Sequence, residues 1–165
     1  MKKLVPLLLA IAFTLVALPC AADSVPLLAG KTIDAGEVTV SDDGENLTVT
    51  YTTNDPWVLI ETHLYVSKKE PLKSAPGRFP FKGEGSEYII SLEELGAEAG
   101  DILYIAAHAE LMNPDVIVEE IVDDSGQVIE TIYWEETGWA EGDNQIPPSK
   151  NWAMYFSYTI PVAGE

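Results

Sequence analysis

Apolar and polar residues alternate along much of the chain, and two long segments show this pattern most clearly. Segments 57–67 and 102–111 each alternate with period two, which is typical of a strand with one face in a core. The first predicted apolar face consists of Val58, Ile60, Thr62, Leu64 and Val66. The second consists of Leu103, Ile105, Ala107, Ala109 and Leu111. We expect both apolar faces to pack into one core and both opposite faces to be at least partly wet.

Shorter alternating segments predict the remaining strands. Segments 37–41 and 47–53 flank a run of turn residues and predict one hairpin, and segments 116–122 and 127–134 predict a second. Two further strands are predicted at 87–92 and 152–160. Ser91 is followed three residues later by Glu94, which is the spacing of a helix capping box. These patterns together predict an all-β fold: a single antiparallel β-sandwich of about eight strands with one short helical turn.

Residues 1–22 have the pattern of a signal peptide. A basic start is followed by an apolar run over 4–18 and by small residues, with a cleavage position before Asp23. The apolar run is shorter than the ~20 residues that a membrane span needs. The alternative is lipid attachment at Cys20, but Pro19 takes the place of the small residue expected before such a cysteine. We therefore predict secretion to the cell exterior or the periplasm without a lipid anchor, and no transmembrane segment in the mature chain.

The predicted mature chain is divided into a leader and one domain. Residues 23–35 contain Pro and Gly without sustained periodicity, which predicts an irregular N-terminal leader. The β-sandwich domain is predicted to cover residues 36–165. The one cysteine of the chain is lost with the signal peptide, so no intrachain disulfide can form.

A strong negative charge excludes several classes of partner. The chain has 27 acidic and 9 basic residues, a net charge of −18, and losing Lys2 and Lys3 gives 7 − 27 = −20. Nucleic acid and anionic membrane surfaces would repel such a chain. The acidity favours either solubility outside the cell or attraction of cations such as Ca²⁺ or a cationic surface.

Most of the positive charge falls in one proline-rich segment, 68–85. Its five basic residues are Lys68, Lys69, Lys73, Arg78 and Lys82. Because proline removes backbone donors, the segment is predicted to be a long loop. We expect this loop to lie back on the acidic surface; the alternative is a site for an anionic ligand.

Four polar residues suggest a metal site: Glu61, His63, His108 and Glu136. Imidazole and carboxylate groups are a plausible ligand set for Zn²⁺ or a similar divalent metal. We predict that His63 and His108 face each other on neighbouring strands, with Glu61 or Glu136 within reach. The alternative is a structural role without metal, which the absence of short metal-ligand spacings favours.

Trp139 is the aromatic residue predicted to bind a ligand. It lies in a segment predicted to be an acidic, glycine-flanked loop, where an exposed indole would stack on a carbohydrate. The alternative is that Trp139 packs in a core, as most aromatic residues of a sandwich do.

Six motifs are spread over nearly all of the predicted mature chain. They are Asn-Leu-x-Val-Thr-Tyr at 46–51, Glu-Thr-His-Leu-Tyr-Val at 61–66, Gly-x-Phe-Pro-Phe-Lys at 77–82, Tyr-Ile-Ala-Ala-His-Ala at 104–109, Glu-Thr-Gly-Trp-Ala-Glu-Gly at 136–142 and Trp-Ala-x-Tyr-Phe-x-Tyr at 152–158. In these motifs the chain resembles a family of secreted and surface-associated microbial β-rich domains for which no activity is established. The resemblance implies an extracellular location and a β-fold. Segment 113–134 is longer than the family pattern, which suggests an insertion.

The sequence favours a secreted, acidic, non-enzymatic module with a binding or structural role. Its partner would be an extracellular ligand or protein, at the cell surface or in the extracellular matrix. The alternative is a metal-dependent hydrolase that uses a His63/His108 site with Zn²⁺ or Ca²⁺ as its cofactor. No complete catalytic motif is present to support an enzyme.

Overall fold

The structure of the protein is a computed structural model, which describes residues 22–148 and 151–162. Apart from residue 22, the predicted signal peptide lies outside these residues, and so does Cys20. The described residues form ten strands: β1 (Asp23–Ala29), β2 (Ile33–Asp42), β3 (Asn46–Thr53), β4 (Val58–Ser67), β5 (Phe81–Gly83), β6 (Glu87–Ser91), β7 (Ile102–Val122), β8 (Val128–Ala140), β9 (Asn144–Gln145) and β10 (Met154–Thr159). The all-β fold class is therefore confirmed.

All strand pairs are antiparallel, and the sheet order is β5-β4-β7-β8-β1-β2-β3-β6, with β10 beside β7 and β9 beside β10. The sheet curls until its two ends approach each other. This is shown by the Tyr88 hydroxyl on β6, which lies 2.7 Å from Oγ1 of Thr62 on β4. The Tyr51 hydroxyl on β3 also donates to the His63 carbonyl on β4 at 3.2 Å. The result is one nearly closed barrel rather than the two facing sheets of a sandwich.

The core lies inside this curled sheet and largely matches the predicted apolar faces. Leu64, Leu103 and Ile105 are fully buried in it. At the start of β4 the prediction is wrong, because Val58 is exposed while Leu59 packs against the core. The β4–β7 register shifts between Leu59 and Glu61. One extra residue reverses which side chains point inward, and alternation alone does not reveal such a bulge.

Residues 23–35 were predicted as an irregular leader, but 23–29 and 33–35 are strand residues of the sheet, joined by a turn. β1 pairs with β2 over its whole length and with β8 through Leu27–Ala29, and Leu27 and Ala29 are fully buried. Pro26 weakened the strand pattern because proline cannot donate a ladder hydrogen bond. Long-range pairing on both sides of β1 nevertheless supplies the stabilisation that the local sequence lacks.

The predicted helical turn is confirmed as α1 (Leu92–Leu95), which Ser91 caps by accepting a hydrogen bond from the Glu94 amide at 3.4 Å. A 3₁₀ turn (Pro76–Arg78) lies within the basic segment. Among the described residues, no helix has the length and apolar character required to cross a membrane.

The second predicted hairpin is present, but it is an extension of longer strands. β7 runs without a break from Ile102 to Val122, and β8 returns from Val128 to Ala140. The part of this hairpin over residues 115–132, here named the arm, is almost wholly exposed. Its base is fixed by Trp134, whose ring lies 5.2 Å from that of the buried Trp57.

Candidate functional site

Two buried histidines form the centre of the candidate site. His63 on β4 is the direct cross-strand partner of His108 on β7, and the two Nδ1 atoms lie 3.2 Å apart. Their exposed fractions are only 5% and 6%. The prediction that the two rings face each other across neighbouring strands is confirmed. Since neutral imidazole has one donor and one acceptor nitrogen, one ring donates from Nδ1 and the other accepts there.

Burial keeps this pair from being doubly charged. Burial, and to a smaller extent the nearby charge of His63, lowers the pKa of His108 to about 3. A positive charge on both rings would be costly at this separation. His108 is therefore neutral at neutral pH and can accept a hydrogen bond through Nδ1.

A second apolar cluster explains why the histidines are buried on a face that was predicted to be wet. It lies on the outer face of β7 and consists of Phe79, Ala106, Trp139, Ile146, Ala153 and Tyr155. Phe79 comes from the basic segment, and Ile146 and Ala153 come from the segment between β8 and β10. These long segments fold over the sheet and remove its outer face from water.

Trp139 belongs to this cluster and is 3% exposed. Its ring lies 4.8 Å from that of His108 and 6.1 Å from that of Phe79. It lies in β8 rather than in a loop, and Gly138 beside it leaves room for Leu111, because a Cβ on Gly138 would lie 2.8 Å from Leu111 Cδ1. Trp139 thus packs against the histidine pair and presents no free face for stacking on a carbohydrate.

Two carboxylates stand beside the histidine pair. Glu61 Oε1 lies 3.5 Å from His63 Nε2, and Glu61 is the direct cross-strand partner of Glu110. Potential ligand atoms of Glu61, His63 and Glu110 all lie within 4.8 Å of one another. Glu61 and His63 were predicted site residues, whereas Glu110 was not among them.

The sequence did contain a pattern that points to Glu110. Glu61 lies two residues before His63, and Glu110 lies two residues after His108. Once two antiparallel strands pair with the histidines opposite each other, the residue two before one histidine must face the residue two after the other. Glu-x-His and His-x-Glu segments on two antiparallel neighbours therefore predict this carboxylate pair.

Glu136 lies on the other face of the sheet. It is the cross-strand partner of Leu111, which points into the core, whereas Thr137 is the partner of Glu110. The Glu136 carboxylate packs near Gly30 and accepts a hydrogen bond from the Thr137 amide at 3.1 Å. The structure therefore does not bring Glu136 to the histidines, because adjacent positions on β8 point in opposite directions.

The larger surface depressions lie elsewhere. One of about 880 Å³ is lined by the turn between β2 and β3, by α1 and by the end of β10, and its lining includes neither histidine. A depression of about 310 Å³ is lined by Glu110 but otherwise by Leu111, Glu135, Glu136 and Thr137. The histidine site is thus a covered sheet face with a carboxylate rim rather than the floor of a deep cleft.

No protein-family model, curated protein or solved structure matches this chain. The family resemblance and the compartment therefore remain predictions from the sequence.

Proposed function

We propose that this chain is a secreted, non-enzymatic binding module that contacts an extracellular partner through its arm. The observation that carries the proposal is the concentration of exposed apolar side chains in the arm. Fourteen large hydrophobic side chains are exposed in the described residues, and eight of them lie in this hairpin. They are Val116, Ile117, Val118, Ile121, Val122, Val128, Ile129 and Ile132. Concentrated exposed apolar surface of this kind is typical of an interaction site.

The arm also offers unpaired strand edges. β4 pairs with β7 only as far as Met112, and β1 pairs with β8 only from Gly138 onward. Between these limits the two strands pair only with each other, as far as the described residues extend. Each outer edge therefore carries backbone donors and acceptors that an extended peptide segment can use by adding a strand.

Charge identifies the kind of segment that suits the arm. The arm contains six carboxylates and no basic residue: Asp115, Glu119, Glu120, Asp123, Asp124 and Glu130. A second copy of this arm would bring like charges together at the same edge. The arm is better matched by an extended segment that combines apolar residues with Lys or Arg, since each face of the arm carries both apolar and acidic side chains.

The N-terminal pattern supports the secreted location, and N-terminal sequencing of the mature protein tests it. If secretion occurs as proposed, the mature chain begins at Asp23. A mature chain that retains Met1 would contradict this part of the proposal.

A binding titration tests the role of the arm. The probes are two short fluorescent peptides, one alternating Lys with Val and one alternating Glu with Val. The wild-type protein is compared with an arm-deleted variant in which Asn-Gly replaces residues 115–132, because Asn-Gly closes a two-residue hairpin. We expect the Lys-Val peptide to bind the wild type, and not the variant, with an affinity that falls as salt is added.

Equal binding of the Lys-Val peptide to both proteins would contradict the proposal. So would equal binding of the two peptides, since it would show that charge plays no part. A melting temperature for the variant close to that of the wild type is the control that the remaining sheet has folded.

The alternative function, a metal-dependent hydrolase at His63 and His108, has less support. Such an enzyme needs a metal with an open position beside a substrate cleft. Nδ1 of each histidine is engaged with the other ring, and the depression of about 310 Å³ beside Glu110 is lined by neither histidine. Hydrolysis of chromogenic ester, phosphoester or peptide substrates by the Zn²⁺-loaded protein would favour the hydrolase instead.

A further inference from the structure

Glu61 and Glu110 form a pair of neighbouring carboxylates beside the histidines, at a place where two negative charges repel each other. Glu61 and Glu110 are direct cross-strand partners, and like charges in that relation destabilise a sheet. Among the described residues, no Lys or Arg nitrogen lies within 4.0 Å of either carboxylate. Lys82 on β5 is the cross-strand partner of His63, but its ammonium donates to the Gly77 carbonyl at 3.4 Å. The repulsion between the two glutamates is therefore not relieved by a Lys or Arg side chain among the described residues.

His63 adds a buried imidazole to this pair. Its Nε2 already lies 3.5 Å from Glu61 Oε1. Ligand atoms in a tetrahedral zinc site lie roughly 3.3–3.6 Å apart, given metal–ligand distances of about 2.0–2.2 Å. The third ligand group is the exposed Glu110, and its ligand atom lies within 4.8 Å of those of Glu61 and His63.

The other nitrogen of His63 is held in place. Its Nδ1 meets Nδ1 of His108 at 3.2 Å, and the His108 ring is fixed against Trp139. A histidine that binds a metal through one nitrogen almost always donates its other N–H to a neighbouring group, which fixes its tautomer and orientation. His108 is placed to be that acceptor.

We propose that Glu61, His63 and Glu110 bind one divalent transition-metal ion of the Zn²⁺ type, with His108 as a positioning residue. Three side chains leave a fourth tetrahedral position for water. The buried imidazole selects Zn²⁺ over Ca²⁺, because Ca²⁺ takes six to eight oxygen ligands. This metal site is separate from the arm, and the proposal does not depend on the binding function proposed for the arm.

Calorimetric titration of untagged, chelator-treated protein with ZnCl₂ and with CaCl₂ tests the site. The first variant is Glu110→Gln, which changes an exposed residue and leaves the buried rings in place. The matched control is Glu136→Gln, which removes the same charge from the other face of the sheet. We expect one Zn²⁺ per chain in the wild type and in Glu136→Gln, without comparable binding of Ca²⁺.

In Glu110→Gln the Zn²⁺ affinity is expected to fall by more than the roughly 10–100-fold loss that follows removal of an outer-shell partner. Equal Zn²⁺ affinity in the Glu110→Gln and Glu136→Gln variants would overturn the proposal. So would a wild-type protein that binds no Zn²⁺, or one that binds several ions with the same weak affinity.

The role of His108 requires a readout that folding alone does not change. Co²⁺ is used in place of Zn²⁺, and its visible absorption spectrum is recorded for the wild type and for His108→Gln. We expect His108→Gln to bind one Co²⁺ with an altered spectrum and a roughly 10–100-fold weaker affinity. An unchanged spectrum and affinity would remove His108 from the site.

Discussion

The two halves of β7 have opposite environments although they form one continuous strand. Over residues 104–112 one edge of the strand is paired with β4, and much of the other edge is paired with β10 and then with β8. The core face of this half is fully buried. Over residues 115–122 it is paired with β8 alone, and every side chain is exposed. Both halves are rich in apolar residues. Burial therefore depends on whether the strand lies within the curled sheet and under its covering segments, and not on apolar composition.

The sequence patterns of the two halves of β7 differ in the same way as their burial. The first half has a strictly apolar face from Leu103 to Leu111. In the second half both faces carry apolar and acidic residues, because 116–118 and 121–122 are apolar and flank Glu119 and Glu120. Apolar residues on both faces of a two-stranded ribbon cannot all be covered by the ribbon itself, which is why we propose the arm as the binding surface.

The largest expected effect comes from placing the same charge in each half. Ile105→Asp puts an unpaired carboxylate at a fully buried position, which costs several kcal/mol against a total stability of about 5–15 kcal/mol. We expect no soluble, folded Ile105→Asp protein. Ile117→Asp, at a position that is 53% exposed, is expected to change the free energy of unfolding by about 0.5 kcal/mol or less. A stable, well-folded Ile105→Asp variant would contradict the assignment of the core face.

Acid is expected to weaken the paired half through His108. Its pKa is about 3 in the folded protein, below the value near 6.5 expected when unfolded. Because the unfolded state then binds more protons, the contribution to stability is complete above about pH 6.5 and is lost as the pH falls toward 3. The loss from about pH 6.5 to about pH 4 is roughly 3 kcal/mol.

Urea unfolding at several pH values, with a chelator present, measures this contribution. Carboxylates of this acidic chain also titrate in that range, so the comparison is with His108→Gln, which retains them. The stability of His108→Gln should fall less steeply with decreasing pH than that of the wild type. Parallel curves for the two proteins would show that His108 is not the group responsible.

The smallest expected effect concerns local opening of the arm, which should leave the free energy of global unfolding almost unchanged. Its amides should exchange with solvent orders of magnitude faster than those of residues 103–111, because a two-stranded hairpin is only marginally stable by itself. Hydrogen exchange followed by mass spectrometry measures the two halves of β7 in one experiment. Protection of residues 116–122 equal to that of residues 103–111 would mean that the arm is covered, in solution, by a partner or by another copy of the chain.

Much of the fold and part of the site followed from local patterns. Period-two alternation located β3, β4, β7 and the two hairpins, and the Ser91–Glu94 spacing located the only helical turn of α type among the described residues. The matched Tyr, His and Glu positions on β4 and β7 predicted the facing of His63 and His108. These succeeded because strand geometry fixes which side chains share a face once the pairing is assumed.

The remaining features depended on contacts between residues far apart in the chain. Pairing on both sides makes Asp23–Ala29 a strand. One curled sheet replaces the predicted sandwich, and the sequence could not distinguish the two because both architectures require the same alternation of apolar and polar residues. A register shift beside Ile60 exposes Val58, and the register of β8 puts Glu136 on one face while Glu110 joins the histidines on the other. Loops that carry Phe79 and Ile146 bury Trp139. Local preference limits which face a side chain can occupy, but register, bulges and covering loops decide what that face meets.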